Sequence, residues 1–296
     1  MKSNTKAHFA VLATNLLFGI NYATVKYITP SHILPFGLNM ARVLTALILF
    51  WILFLFKPSN ASIRKKDIPR FLICAASGVT INQLLFIKGL SLTTSIHASL
   101  LSLGTPIFIT FIAAWLLKEM LTPIKLIGLF LGIAGATILI LLKDNTHSGS
   151  DIVTGDILIL LNAISYAFYM VLVRPLMQTY SPVHVIRWIF TFGAIMMAPF
   201  AWHQFATTNW NNFQTNQWLA LALVCIGATF FSYLFNIYGI SVIGASATGS
   251  YIYTQPFFAA VTSMIFLGEG IDAYKIVSAI LIFGGVYLVN RLKVKS

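Results

Sequence analysis

The chain has 296 residues and a formal net charge of +12, yet 58% of its residues are hydrophobic, 9% are charged and mean hydropathy is +0.86. Apolar content this far above that of soluble domains places the chain in a bilayer, and continuous apolar runs without alternation exclude a β-barrel. The basic excess then reads as a topology signal and as attraction to anionic inner-leaflet lipid; no nucleic-acid partner is needed to explain it.

Ten apolar stretches of about 20 residues, the helix length that crosses roughly 30 Å of hydrocarbon, predict ten transmembrane helices. The first, 8–28, follows Lys2 and Lys6 as a signal peptide would, but no small-residue cleavage site follows and the run has full span length, so it stays uncleaved. It places Asn15, Phe18 and Tyr22 on one helical face. Span two, 33–56, holds Arg42 about nine residues from its start, roughly 14 Å deep and too deep to reach water easily. Span three, 69–88, carries Asn82 and Phe86 one turn apart. Span four, 97–117, starts at His97, which reads as interfacial, and has Pro106 at its middle, where a kink or hinge is expected.

Glu119 follows span four, close to Lys125 at the start of span five, 123–142. Asp144, Asp151 and Asp156 are placed outside the bilayer, at or ahead of span six, 153–177. That span puts Asn162, Tyr166 and Tyr169 on a common face. Span seven is 182–203. Span eight, 217–239, carries Ser232 and Asn236. Span nine, 245–267, has a stripe of Thr248, Tyr251 and Gln255 and a central Pro256. Glu269 and Lys275 flank the start of span ten, 271–291, as Glu119 and Lys125 flank span five.

Residues 84–139 match 234–289 in one ungapped register offset by 150: Gly89 on Gly239, Ser91 on Ser241, Pro106 on Pro256, Glu119 on Glu269, Lys125 on Lys275, Gly135 on Gly285. Glycine, proline, serine and charged positions in a single register indicate duplication, dividing the chain into 1–146 and 147–296. Five spans per unit is odd, so the second copy enters the bilayer from the opposite side. The fold class is therefore all-α integral membrane, two inverted five-helix repeats, a symmetry that suits alternating access with a binding site at the repeat interface near the midplane.

Fourteen basic residues, from Lys2 to Lys295 and including Arg64, Lys65, Lys66, Arg70 and Arg187, fall on one side, against Lys26, Lys88, Lys143 and Lys275 on the other. The positive-inside rule makes the first side, with both termini, cytoplasmic. Trp202, Trp210 and Trp218 mark the outer interface, Trp51 and Trp115 the inner one. The localisation this implies is a bacterial-type inner membrane.

The stretch KGLSLTTSIHASLLSLGTPIFITFIAAWLLKEMLTPIKLIGLFLGIAGA, its second copy YGISVIGASATGSYIYTQPFF…FLGEGIDAYKIVSAILIFGGV, and LLFGINYATVKY in span one resemble the EamA domain of the drug/metabolite transporter superfamily. The resemblance covers essentially the whole chain. It implies ten helices around a central cavity lined by both copies, and cargo among amino acids, nucleosides, choline-like cations and other metabolites. A basic residue in span two, here Arg42, looks general to the family, which implies a structural or gating role. Lys88 stands where the family's pattern has alanine.

If the polar stripes face inward, the cavity is lined by Asn15, Phe18, Tyr22, Asn82, Phe86, Asn162, Tyr166, Tyr169, Asn236, Tyr251 and Gln255. Each stripe residue has a blander reading as helix packing. Pro106 and Pro256 read as gating hinges or fixed kinks, and Glu119 and Glu269 as organisers of their turns, with proton coupling there or at His97 as the other reading. Enzyme readings fare poorly. The six histidines lack metal-ligand spacing, Cys74 and Cys225 form no CxxC pair, and no phosphate-cradling glycine loop is present. The expected function is secondary transport of a small organic metabolite, without cofactor or metal, by a lipid-embedded chain that could pair as a homodimer. Export is favoured over uptake or facilitated exchange, and an amino-acid-like cargo over a cationic or aromatic one.

Overall fold

The computed structural model describes residues 3–56, 62–117, 123–141 and 149–291, and every element among them is helical. Helix α1 is Ser3–Ile28 and α2 is Pro35–Phe56. Helix α3 joins Ile68–Ala75, Ala76–Thr80 and Ile81–Leu92; α4 joins Ser95–Ser102 and Thr105–Leu117. Next come α5, Pro123–Leu141, and α6, Gly149–Leu172 with an extension Arg174–Thr179. Helix α7 is Pro182–Ala206, and α8 joins Thr215–Ala222, Leu223–Phe231 and Ser232–Ser250. Helix α9 joins Tyr251–Thr254 and Gln255–Leu267, and α10 is Ala273–Arg291. Among the described residues seven helices are long and apolar enough to cross a membrane, whereas α5, α9 and α10 are apolar but shorter.

Local chemistry sets the ends. The Ser181 side chain accepts from the His184 N–H and Pro182 opens α7, a position where a missing N–H costs nothing. Thr94 caps α4 in the same way, accepting from the His97 N–H at 3.2 Å. The structure refines the expected mid-span kinks into breaks. Span four is interrupted at 103–104, and span nine has the tighter Tyr251–Thr254 turn at the corresponding place, 150 residues on. Pro106 and Pro256 each take the second position of the helical stretch that follows, where no intrahelical N–H bond is lost. The link expected between spans eight and nine near 240–244 is absent, because α8 stays helical to Ser250.

Helix α1 packs on α8 and α9, α6 on α3 and α4, α2 on α7, and α5 on α10. Exchanging α1–α5 with α6–α10 returns the same pairs, as interlocked inverted copies require. At the α5–α10 crossing a Cβ on Gly285 would lie 2.4 Å from the Gly128 carbonyl oxygen, so the two backbones touch. Gly89 of α3 and Gly155 of α6 make a second such crossing, each within 3.0 Å of the other's carbonyl oxygen once a Cβ is added. Both α3 and α8 carry a π-helical stretch at matching places, Ala76–Thr80 and Leu223–Phe231; such insertions rotate the following face and are common at functional sites.

Outward faces carry exposed Leu55, Phe130, Ile265 and Phe266, an apolar belt for lipid. Arg187, counted among the cytoplasmic cations, is buried at 3% exposure near the start of α7. Its guanidinium sits 3.7 Å from the Phe54 ring centroid and 4.7 Å from that of Trp51, so aromatic faces supply its counter-charge.

Candidate functional site

Two of the predicted stripe pairs meet across the two halves of the chain, and two more pack within a half. Gln255 Nε2 of α9 donates to Asn15 Oδ1 of α1 at 2.8 Å, while Asn15 Nδ2 donates to its own helix at the Val11 carbonyl. Asn82 of α3 and Asn162 of α6 each donate to the other's backbone carbonyl, at 3.4 and 2.8 Å. Tyr22 meets Phe86 edge-on with ring centroids 5.5 Å apart, and Tyr166 lies beside Tyr169 at 5.6 Å. Tyr251 departs from its stripe: its hydroxyl pairs with His8 Nδ1 at 2.8 Å, near the start of α1. Phe18 and Asn236 are half-buried. A pocket of about 130 Å³ between α4, α5, α6 and α10, lined by Leu101, Ile107, Phe108, Leu129, Leu160 and Ile282, is apolar and holds none of these residues.

Arg42 of α2 is 3% exposed and sits where α2 crosses the π-helical stretch of α8. Its Nε donates to Thr229 Oγ1 at 3.0 Å, and the Thr229 hydroxyl in turn donates to the Val224 carbonyl five residues back, a reach that π geometry permits. Tyr233 and Cys225 are its other polar neighbours, and Tyr233 also borders Gln83. Arg42 Nη1 has no hydrogen-bond partner, and among the described residues no carboxylate pairs with this guanidinium. Beside it lie Asn39, one turn back on α2, whose amide donates to the Gln83 carbonyl at 2.9 Å, and half-buried Tyr233, next to which lies Tyr166. Neither Gln83, Thr229 nor Tyr233 stands out in the sequence; a π insertion brings Thr229 to Arg42, and no periodic pattern announces it.

A second polar cluster closes the end of the bundle where α1 finishes. Lys26 Nζ donates to the carbonyls of Thr93 and Ser91 at 2.7 and 3.2 Å. The Glu269 carboxylate accepts from the Ser95 and Ile96 N–H groups at 2.9 and 3.0 Å, capping α4 from the far half of the chain. Asp156 accepts from the Thr93 hydroxyl and from His97 Nδ1, the latter at 3.0 Å, and His97 Nε2 faces the Tyr274 hydroxyl at 3.3 Å.

Three expectations change here. Asp156 is 0% exposed inside α6 rather than in the outer medium, because the Gly89–Gly155 crossing draws α3 over it. His97 is 1% exposed and paired rather than a lone histidine. Glu269 caps α4, and Lys275 pairs with Asp272 at 3.0 Å. Lys88 is exposed, and Glu119 lies outside the described residues.

The profile of the EamA-like transporter family matches residues 5–141 and again 153–291. An "Uncharacterized transporter" of Archaeoglobus fulgidus is 27% identical, covering 96% of this chain and 97% of that protein. A "Probable terminal-alkyne amino-acid exporter" of Streptantibioticus cattleyicolor is 28% identical over 77% of this chain and 75% of its own length. A crystal structure at 16% identity superposes with a TM-score of 0.66 over 99% of this chain and 100% of that one, a likeness of fold. With two family matches that together span nearly all of an all-helical, membrane-embedded chain, this protein belongs to the EamA-like transporter family and is a transporter of small molecules, not an enzyme.

Proposed function

We propose that the chain exports amino-acid-like metabolites bearing a carboxylate, by alternating access between the inverted copies 1–146 and 147–296. The observation that carries this is Arg42: a guanidinium buried within the bilayer span, with Nη1 unpartnered and no acid beside it among the described residues. Leaving a buried cation uncompensated is expensive, and a carboxylate arriving with the cargo would supply the missing charge, in the planar geometry that guanidinium favours. Tyr233 neighbours the guanidinium, and the rings of Tyr166 and Tyr169 from α6 lie next to Tyr233, suiting an amine and a small side chain. The breaks ahead of Pro106 and Pro256 give α4 and α9 a place to bend. The amino-acid exporter among the relatives supports both cargo class and direction, and the basic residues of the 62–70 segment support an inner-membrane orientation with both termini cytoplasmic.

The test is exchange in proteoliposomes with labelled amino acids, each set against its decarboxylated amine and its methyl ester as competitors. Competition by the acid and not by the amine or ester is expected, with Arg42→Gln abolishing transport and Arg42→Lys retaining a small fraction. Equal transport of amine and acid would overturn the carboxylate reading.

A further inference from the structure

The cluster at the end of α1 ties together four helices and two links, α3–α4 and α9–α10, which makes it a seal across one end of the path. Lys26 comes from α1, Thr93 from the α3–α4 link, His97 from α4, Asp156 from α6, Glu269 from the α9–α10 link and Tyr274 from α10. The side-chain hydrogen bonds of Lys26, Asp156, His97 and Glu269 named here each join two different elements.

Its chemistry is not repeated at the other end. In the 150-residue register Thr93, His97 and Tyr274 correspond to Ile243, Ala247 and Ile124, and with Asn15 set on Asn162, Asp156 corresponds to Phe9. At the other end the described residues place a His8–Tyr251 pair instead, with no carboxylate partner among them; the buried His97–Asp156 pair belongs to one gate. Two ammonium groups, Lys26 and Lys275, face three carboxylates, Asp156, Glu269 and Asp272, so one proton on His97 brings the seal to neutrality.

The arrangement accepts His97 in either state without moving. Nδ1–H donates to Asp156 in both, while at Nε2 the Tyr274 hydroxyl accepts from an imidazolium or donates to a neutral ring. Only the charge differs. With imidazolium the fully buried Asp156 carboxylate has its counter-charge; without it, the acid holds two neutral donors and an uncompensated charge, which favours hydration and opening. Other titratable groups on the elements packed around the pair include Tyr22 and Tyr27 on α1, exposed Lys88 on α3 and exposed Asp151 on α6; farther along α1, α3, α6 and α10 are His8, Cys74, Tyr166, Tyr169 and Tyr287, with Tyr251 and Tyr253 at the start of α9 and Lys125 at the start of α5.

We propose that His97 and Asp156 form a proton-binding site that governs the gate at this end: the protonated pair holds it shut and release of the proton lets it open. This rests on the alternating-access reading above, in which this end faces the cell exterior.

Ser102 lies five residues below His97 on α4, about 7.5 Å deeper, and is half-buried beside Tyr22. With Ser102→Cys in right-side-out membrane vesicles, an impermeant maleimide added outside reads gate opening, normalised at each pH to labelling of the unfolded chain. The unmodified protein, whose Cys74 and Cys225 are buried, is the blank. Labelling is expected to rise about tenfold from about pH 5.5 to about pH 8, and His97→Gln and Asp156→Asn should each flatten that rise. A flat profile with His97 and Asp156 intact overturns the proton site while leaving alternating access standing. Labelling from neither face at any pH overturns both.

Discussion

Gln255 and Asn15, 240 residues apart, share a 2.8 Å hydrogen bond that fastens the start of the main stretch of α9 to the middle of α1. Asn15 is 2% exposed, and its Oδ1 receives no other donor in the hydrogen-bond network of the described residues. Gln255→Leu strands that oxygen, which should lower stability by about 1–3 kcal/mol. Asn15→Leu with Gln255→Leu, removing both partners, should recover part of the loss. Thermal unfolding in detergent of the two single variants and the double checks this; equal losses that simply add would show that the bond contributes nothing of its own.

At the α5–α10 crossing no side chain can yield, because the added methyl of Gly285→Ala meets the Gly128 carbonyl oxygen and the Gly132 nitrogen, 2.8 Å away for the latter. Helices forced apart here should cost about 1–3 kcal/mol. Gly284→Ala, next door with nothing within 4 Å of the new methyl, is the control and should unfold with the parent.

Between α6 and α7, outside the spans, the Tyr180 hydroxyl donates to Asp67 Oδ2 at 2.7 Å and accepts from the Arg64 N–H at 3.0 Å. Burial raises the phenol above its ordinary value, and the Asp67 carboxylate raises it further, against the Arg64 N–H, which lowers it. A proton held more tightly folded than unfolded stabilises fully below the unfolded phenol's value near 10 and is lost as pH climbs through the folded one. Unfolding temperature should therefore fall in that alkaline window, and Tyr180→Phe should remove that part of the decline. An unchanged alkaline slope in the variant would refute the assignment.

Orientation has its own check. Arg64→Cys, in the basic segment ahead of α3, should react with an impermeant thiol reagent only from the cytoplasmic face, and Asn211→Cys, between α7 and α8, only from outside. Reversed accessibility would invert the gate assignment as well as the direction of transport.

Much of this architecture is legible in the sequence because helices in lipid must be apolar for a fixed length and because duplication repeats its glycines and prolines in register. The stripes are legible for the same reason: Asn15, Asn82, Asn162 and Gln255 stand out in apolar helices that have no other use for an amide. Asp156 is not. A few residues into a predicted span, an acid reads equally well as solvent-facing, and its burial depends on Gly89 and Gly155 bringing α3 and α6 into backbone contact, a tertiary fact. The reach of Thr229 to Arg42 is hidden likewise, since a π-helical stretch shifts the face that 3.6-residue spacing assigns.

Gly268 ends α9 in a left-handed conformation, φ 67°, which a glycine adopts without strain. Its neighbour Glu269 is thereby free to cap a helix that begins at Ser95, in the first third of the chain. During synthesis α4 enters the bilayer long before residue 269 exists, so its leading N–H groups must wait for the last helical hairpin. A chain stopped before Gly268 would keep most of its spans yet lack the carboxylate that meets the Ser95 and Ile96 N–H groups, leaving Thr94 as the local cap of α4.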